Sequence, residues 1–241
     1  MRKIIVGAFV SLDGVMQAPG GPEEDPTGGF NHGGWVAVPW DQAMGEAMGA
    51  LFTEPYDLLL GRKTYEIFAA HWPYSDEEPI ASQFNKATKF VATSSPRPLA
   101  WQNSVAISGD VPAEIARLKE GDGPTLIVQG STVLIQTLLE HGLVDEFRLL
   151  IFPLLLGAGK KLFGEGTIPG ALKLSSSRTS STGVVMATYL PDGAVRTGSF
   201  QLPEATEAEL ARREAIREQH RVDRAPRGPA VSGGHVDPVL A

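Results

Sequence analysis

Thr125-Leu126-Ile127-Val128-Gln129-Gly130-Ser131-Thr132-Val133-Leu134-Ile135-Gln136-Thr137-Leu138-Leu139-Glu140-His141-Gly142 reads as a strand, a turn and a helix in immediate succession. Thr125 to Gln129 is a short apolar, β-branched run of the kind found in buried strands. Ser131 can cap the helix that follows with its hydroxyl. Leu134, Ile135, Leu138 and Leu139 recur at helical spacing as one apolar stripe, and Gly142 stands where a left-handed residue ends a helix. His141, in the last turn, suits the negative end of the helix dipole. A strand that enters a helix through a short polar turn is the repeating unit of an α/β fold.

Working outward, the same rhythm recurs. Ile4 to Val10, Leu58 to Leu60, Lys89 to Thr93, Ser104 to Ile107 and Glu146 to Phe152 are further strand candidates. Met44, Ala47, Met48, Leu51 and Phe52 place one apolar stripe on a helix from about Asp41 to Thr53. A short helix is expected from Gly61 through Ala70. Another starts near Pro112, buries Ile115 and Leu118 and ends at Gly121. Late in the chain, Thr182 to Leu190, the turn Pro191-Asp192-Gly193 and Ala194 to Leu202 read as an antiparallel hairpin, which makes the sheet mixed. Residues 1–202 form the expected domain. From Pro203 the composition shifts to Glu, Ala and Arg up to His220 and then to Pro, Gly and small residues, so 203–241 reads as an appended helix and a loose tail. A glycine- and proline-rich segment, Gln17 to Gly34, separates the first strand from the first helix. Loops of this length are usually functional or mobile.

Composition narrows the function. Acidic residues number 28 against 21 basic ones, a formal charge of -7, so the chain has no basic field for a phosphate backbone and nucleic acid is not an expected partner. No cysteine is present, which removes disulfides, thiolate metal sites and cysteine nucleophiles. The five histidines are scattered without ligand spacing, and no metal is expected. No run approaches the roughly 20 apolar residues that span a bilayer, and the charged, short first segment does not suit a signal peptide. The expectation is a cytoplasmic protein that binds no membrane.

Phosphate-loop, dinucleotide GxGxxG, nucleophile-elbow and HExxH signatures are all absent. What remains is a set of strand-to-helix junctions: Leu60-Gly61-Arg62-Lys63-Thr64, Val91-Ala92-Thr93-Ser94-Ser95 and Val128-Gln129-Gly130-Ser131-Thr132. At such a junction the unpaired N–H groups of a helix start point outward, glycine permits close approach of a phosphate, and Arg62 and Lys63 add charge. By themselves these residues also suit a plain turn and an ordinary cap. Three junctions on strand ends favour a nucleotide crevice.

These junctions, with Ser11-Leu12-Asp13-Gly14, Gly61-Arg62-Lys63-Thr64-Tyr65-Glu66, Leu143-Val144-Asp145-Glu146 and Pro153-Leu154-Leu155-Leu156-Gly157-Ala158-Gly159, resemble the dihydrofolate reductase superfamily. More closely, they resemble the reductase domain of bifunctional riboflavin-biosynthesis deaminase/reductases. The likeness runs in matching order from Met1 to about Leu190. It implies a dihydrofolate reductase-like α/β fold: a mixed, mostly parallel sheet with helices on both faces and a C-terminal antiparallel hairpin. It also implies NADPH as cofactor. Gly61, Arg62, Lys63 and Thr64 match a turn that holds cofactor phosphates, with Thr93 and Ser94 near the adenosine 2′-phosphate. Gln129, Gly130, Ser131, Thr132, Val133 and Leu134 match the second phosphate-binding turn. Ala8 and Val10 match backbone facing the nicotinamide carboxamide. Asp13 falls where ring and substrate meet, which makes it the expected catalytic and substrate-binding residue.

Two departures bear on the substrate. The acidic residue that grips the pterin in dihydrofolate reductases aligns with Gly45, with Glu46 adjacent, and the second turn has Gln129-Gly130-Ser131 in place of paired glycines. Without cysteine the chain cannot supply the zinc deaminase half of the bifunctional enzymes. The resemblance therefore implies an NADPH-dependent reductase of the riboflavin-biosynthesis type (5-amino-6-(5-phosphoribosylamino)uracil reductase-like), acting on a small heterocyclic or ribosylamino substrate. Trp40 and Glu46 are candidate substrate contacts. Reduction of a pterin or another carbonyl or imine compound is the enzymatic alternative, and a non-catalytic nucleotide-binding module is the alternative of another class. Family members tend to pair, so a homodimer is expected, with the apolar run Leu149 to Leu156 as a candidate interface.

Overall fold

The computed structural model describes residues 1–201 and 204–224. In chain order the elements are β1 (Ile4–Ser11), α1 (Gln42–Leu51), β2 (Tyr56–Gly61), α2 (Arg62–His71), α3 (Ile80–Lys86), β3 (Lys89–Ala92), β4 (Ser104–Ile107), α4 (Val111–Glu120), β5 (Thr125–Val128), α5 (Thr132–Glu140), β6 (Glu146–Phe152), β7 (Leu172–Thr179), β8 (Val185–Pro191) and α6 (Glu207–Arg224). The chain divides into two compact units, Met1–Val195 and a second from Arg196 onward that contains α6. The expected helix lies in the second unit; the expected tail, residues 225–241, and the boundary pair Leu202 and Pro203 lie outside the described residues.

One eight-stranded sheet runs β4-β3-β2-β5-β1-β6-β8-β7. The strands from β4 to β6 are parallel; β8 lies antiparallel to β6, and β7 antiparallel to β8. Central strands of a parallel sheet are covered on both faces and so read as unbroken apolar runs, as Leu58-Leu59-Leu60 and Leu126-Ile127-Val128 do. Side chains alternate between the two faces. Ile4, Val6, Leu126 and Val128 pack against Leu134, Ile135 and Leu138 of α5 and Ile115 of α4. Ile5, Leu58, Leu60 and Ile127 face the other way, onto Leu51, Tyr65, Phe84 and Trp101. Each such side chain removed from water contributes roughly 1.5–3 kcal/mol, which fixes the helices over both faces.

Caps set the helix starts. Asp41 accepts from the Met44 N–H at 3.2 Å, Asp110 from Ala113 at 3.1 Å and Ser131 from Leu134 at 3.5 Å. Gly142 takes φ +61° beyond α5, and His141 Nδ1 donates to the Thr137 carbonyl at 2.9 Å in the last turn. The start of β1 is held by an Arg2–Asp57 ion pair and by Asp145, which accepts from the Ile4 N–H at 2.8 Å and pairs with Lys119.

The hairpin lies one strand earlier than the turn signal implies. β7 and β8 join through Ser180–Val184, where Ser180 Oγ accepts from the N–H groups of Thr182 (3.3 Å) and Val184 (3.0 Å) and Gly183 takes φ +85°. Pro191-Asp192-Gly193 ends β8, with Asp192 donating to the Ala171 carbonyl at 2.8 Å, and residues 194–200 form no strand. β7 is exposed along its whole length, so it carries no alternation to read. Half of the run Leu149–Leu156 is β6, with Leu149, Leu150 and Phe152 buried inside the sheet, and Leu155 beyond the strand is its strongly exposed member.

Candidate functional site

A cleft of about 1490 Å³ opens along the carboxyl ends of the parallel strands, where helix starts and strand exits meet. β1 contributes Gly7, Ala8 and Phe9; the exits of β2, β3 and β5 contribute Gly61–Thr64, Ala92–Ser95 and Gln129–Leu134. That volume exceeds the several hundred Å³ typical of one drug-sized ligand and leaves room for two molecules side by side.

Two of the turns interlock. Gly61 N–H donates to the Gly130 carbonyl at 3.3 Å, and a Cβ on Gly61 would fall on Ser131 Oγ. On Gly130, at φ +133°, a Cβ would lie 2.6 Å from Thr64 Oγ1. The Gly130–Ser131 peptide is cis. Glycine at both positions lets the start of α2 and the start of α5 approach face to face, so both sets of free N–H groups border one space. α2 begins without a side-chain cap, beside Arg62 and Lys63, which leaves its positive end open to an anion. Gln129 Oε1 is buried with no hydrogen-bond partner, an acceptor in search of a donor.

Arg62 is partly committed. Its Nε donates to Glu66 at 2.8 Å and its Nη1 to the Arg97 carbonyl at 2.9 Å, while Arg97 also reaches Glu66 at 2.9 Å. Lys63 has no ion pair among the described residues. Thr93 is buried and its hydroxyl accepts from the Ser95 N–H at 3.0 Å, so it shapes the β3 exit, whereas Ser94 is exposed.

Opposite these turns the wall is apolar. Phe9 and Trp40 meet edge to face at 5.7 Å, and Phe52, Phe68 and Trp72 cluster around Phe84 at 5.2, 5.9 and 4.8 Å between ring centres. The glycine-rich segment after β1 forms a strap along this wall. Gln17 holds it: its Nε2 donates to the carbonyls of Asp25 (2.8 Å) and Thr27 (2.9 Å), and its Oε1 accepts from the Lys160 N–H at 2.9 Å. Trp35 Nε1 donates to the Gln17 carbonyl at 2.8 Å, and Lys160 Nζ pairs with Asp25. Glu24 accepts from the N–H groups of Gly20 (2.6 Å) and Gly21 (3.3 Å), and burial pushes its carboxyl above the ordinary range.

The cleft thus collects Ala8, Trp40, Gly61, Arg62, Lys63, Thr64, Thr93, Ser94 and Gln129 through Leu134. Three sequence candidates do not line it. Val10 is buried in the core. Glu46 turns outward, within 3.0 Å of Gln42 and 3.4 Å of Arg178, and Gly45 takes the place on the cleft side of α1. Asp13 accepts from Ser11 Oγ at 2.6 Å and from the N–H groups of Leu156 (3.1 Å) and Gly157 (2.7 Å). These bonds, the Ser11 hydroxyl foremost, hold its carboxyl down to about 2. Its oxygens are engaged in tying the exit of β1 to the loop after β6. Sequence reading found Trp40 but missed the rest of the aromatic wall, the start of α4 at Gly109–Pro112 and Lys160, all of which border the cleft. Among the described residues no group of three or more His, Cys, Asp or Glu could hold a metal, and no helix is long and apolar enough to cross a membrane.

Comparison with known proteins agrees with this geometry. The family model described as the RibD C-terminal domain matches residues 2–186. The uncharacterized protein YyaP of Bacillus subtilis is 28% identical over 192 residues, covering 78% of this chain and 94% of that protein. Two solved structures share the fold. The deaminase/5-amino-6-(5-phosphoribosylamino)uracil reductase of Thermotoga maritima has a TM-score of 0.54 at 14% identity, over 79% of this chain and 57% of that one. Enterococcus faecalis dihydrofolate reductase, solved with NADP(H), has a TM-score of 0.50 at 16% identity over 79% and 96%. The matched segment carries every turn that borders the cleft, and the chain belongs to the RibD C-terminal domain family of riboflavin-pathway reductase-like proteins.

Proposed function

We propose that this protein is an NADPH-dependent reductase of small heterocyclic compounds. The observation that supports it best is the convergence of the β2, β3 and β5 exits on one cleft in a chain of this family. The residues present fit a dinucleotide phosphate: an uncapped helix start with Arg62 and Lys63 beside it, two glycines that bring the turns together, and the unpartnered Gln129 Oε1, which suits an amide or hydroxyl donor.

When bound, NADPH supplies a hydride to a C=N or C=O carbon and leaves as NADP⁺, and a solvent proton completes the reduced bond. This chain's own residues bind and orient. Arg62 and Lys63 would hold phosphate, Ala8 and Phe9 at the β1 exit would border the ring, and the aromatic wall and strap would exclude water from the reacting faces. No carboxylic acid at the β1 exit is free to donate a proton, because Asp13 is ionised and bonded to Leu156 and Gly157. Asp13 is in this reading a positioning residue.

The test is NADPH fluorescence titration of the full chain, followed by loss of absorbance at 340 nm with a panel of pyrimidine and pteridine compounds. Arg62→Ala should weaken NADPH binding by about tenfold, the loss of one charge-assisted phosphate contact. Binding without turnover on any member assigns a nucleotide-binding module, and no binding refutes the proposal.

A further inference from the structure

We propose that the molecule reduced in this cleft is a planar, unphosphorylated heterocycle, neutral or cationic, and that the phosphate carried by the uracil substrate of the Thermotoga maritima relative is selected against. The inference rests on the reductase reading above and concerns the wall opposite the cofactor turns.

Shape comes first. Phe9, Trp40, Met48, Phe52, Phe68 and Trp72 border the cleft, and Trp40 is 40% exposed while edge-on to Phe9, so an aromatic face is offered to whatever enters. Gly45 sits in the middle of α1 on the same wall, and a Cβ there would meet nothing within 4 Å. Glycine in a helix interior is less stable than alanine. Here it keeps open a flat space at the position from which a carboxylate would otherwise project.

Charge decides the rest. The cleft is lined by Glu23, Glu24, Asp25, Glu77 and Glu140 against one arginine and two lysines. Arg62 is bonded to Glu66, and Lys160 is neutralised by Asp25. Lys63 is left; it lies in the first turn of α2 beside the cofactor turns and borders a smaller pocket with Glu23, Glu24 and Asp25. His71 faces Glu77 at 3.8 Å, and His141 is bonded to its own helix. Along the strap, then, a phosphate dianion would meet the carboxylates of Glu23 and Glu24, with Asp25 already paired to Lys160, and the one cation across from them, Lys63, is the one that the cofactor turns also use. Phosphate recognition elsewhere relies on arginine forks, lysines or free helix starts, and like charges in a cleft cost affinity. A neutral ring incurs no such penalty, and a cationic one gains from Glu23.

A matched pair of probes separates the possibilities: 5-amino-6-(ribosylamino)uracil and its 5′-phosphate, titrated into the full chain held with excess NADPH, with tryptophan fluorescence as the readout. The unphosphorylated compound should bind at least about tenfold tighter. Glu23→Lys, on an exposed loop, should narrow that gap severalfold at unchanged melting temperature. Equal or tighter binding of the 5′-phosphate, or a gap unmoved by Glu23→Lys, overturns the inference while leaving the reductase reading intact. Failure to bind NADPH in the same cuvette removes the reductase reading and the inference with it.

Discussion

Gly61→Ala tests whether the two cofactor turns are one unit. Gly61 has φ −74° and ψ 156°, a conformation alanine adopts freely, so the backbone raises no objection. Through the unfolded chain alone the change would stabilise the protein by about 0.4–1 kcal/mol. Sterics reverse the sign. The new methyl would fall on Ser131 Oγ, with Ser131 Cβ at 3.0 Å and its backbone nitrogen at 3.2 Å. Gly61 is buried and Ser131 half-buried in tightly built turns, where overpacking costs about 1–3 kcal/mol. Moving Ser131 also loosens the cap of α5, a long bond at 3.5 Å, which adds a fraction of a kcal/mol.

The net expectation is a loss of about 2 kcal/mol, read as a drop of roughly 4–8 °C in melting temperature. Ser131→Gly removes both the hydroxyl and the Cβ at a cost of a few tenths of a kcal/mol. In that background Gly61→Ala should cost about 1–2 kcal/mol less, because only the backbone nitrogen remains close. Denaturant unfolding of the wild type, both single variants and the double variant measures this coupling directly. Additivity within about 0.5 kcal/mol would show that the turns do not lean on each other and would refute the reasoning.

Asp13→Asn should lower the melting temperature at pH 7, because one amide oxygen replaces a carboxylate that accepts three bonds; since the native carboxyl is held down to about 2, its stabilisation is present above pH 4 and is lost as pH falls towards 2, so the variant's acid limb should be flatter. A variant as stable as wild type, with an unchanged acid limb, would remove the positioning role. Lys89 is buried, donates to the carbonyls of Phe84 and Asn85 at 3.1 Å each and lies 4.2 Å from the Trp101 ring, and burial lowers its pKa to about 8. An unfolded lysine keeps its proton to about pH 10.4, so stability should rise from pH 8 to about 10; above that, Tyr56, whose ionisation burial opposes, takes the slope the other way. Lys89→Met should abolish the rise, and urea titrations at pH 7.5 and 9.5 would detect its survival. Removal of residues 203–241 should leave a cooperative transition within about 2 °C of the full chain, and loss of cooperativity would make that segment part of the core.

Local signals carried most of the fold. The α5 unit is legible because cap, stripe and C-terminal glycine all fall within eighteen residues, and the parallel strands because burial on two faces leaves unbroken apolar runs. β7 is not legible for the opposite reason: Leu172-Lys173-Leu174-Ser175-Ser176-Ser177-Arg178-Thr179 is exposed throughout, and pairing with β8 alone defines it. The Pro-Asp-Gly turn misled because a turn marks where a strand stops and does not say which neighbour it pairs with. Asp13 misled in a related way. Its position at the exit of β1 and its neighbour Ser11 are legible, but the other two partners of its carboxylate lie 143 and 144 residues away in the chain, and no local pattern reports them.

The same distinction divides the cleft. The side proposed for the cofactor is built from three junctions, each a few residues long and each carrying hydroxyls, with glycine at two of them and cations at one, so the polar groups that favour a nucleotide are visible within each junction. Its other side is assembled from Phe9, Trp40, Gly45, Phe52 and Trp72, which come from β1, the loop before α1, α1, the turn after it and the end of α2. None of these residues is unusual where it stands. Their meaning comes from the strap, which Gln17 and Lys160 fasten across the chain and which commits Lys160 to Asp25. A lysine free at that point would have offered a phosphate its anchor. In the proposed reading, pairing it internally and leaving Glu23 exposed beside it favours phosphate at one end of the cleft and a flat ring at the other, and specificity for the second molecule then resides in the glycine- and proline-rich strap.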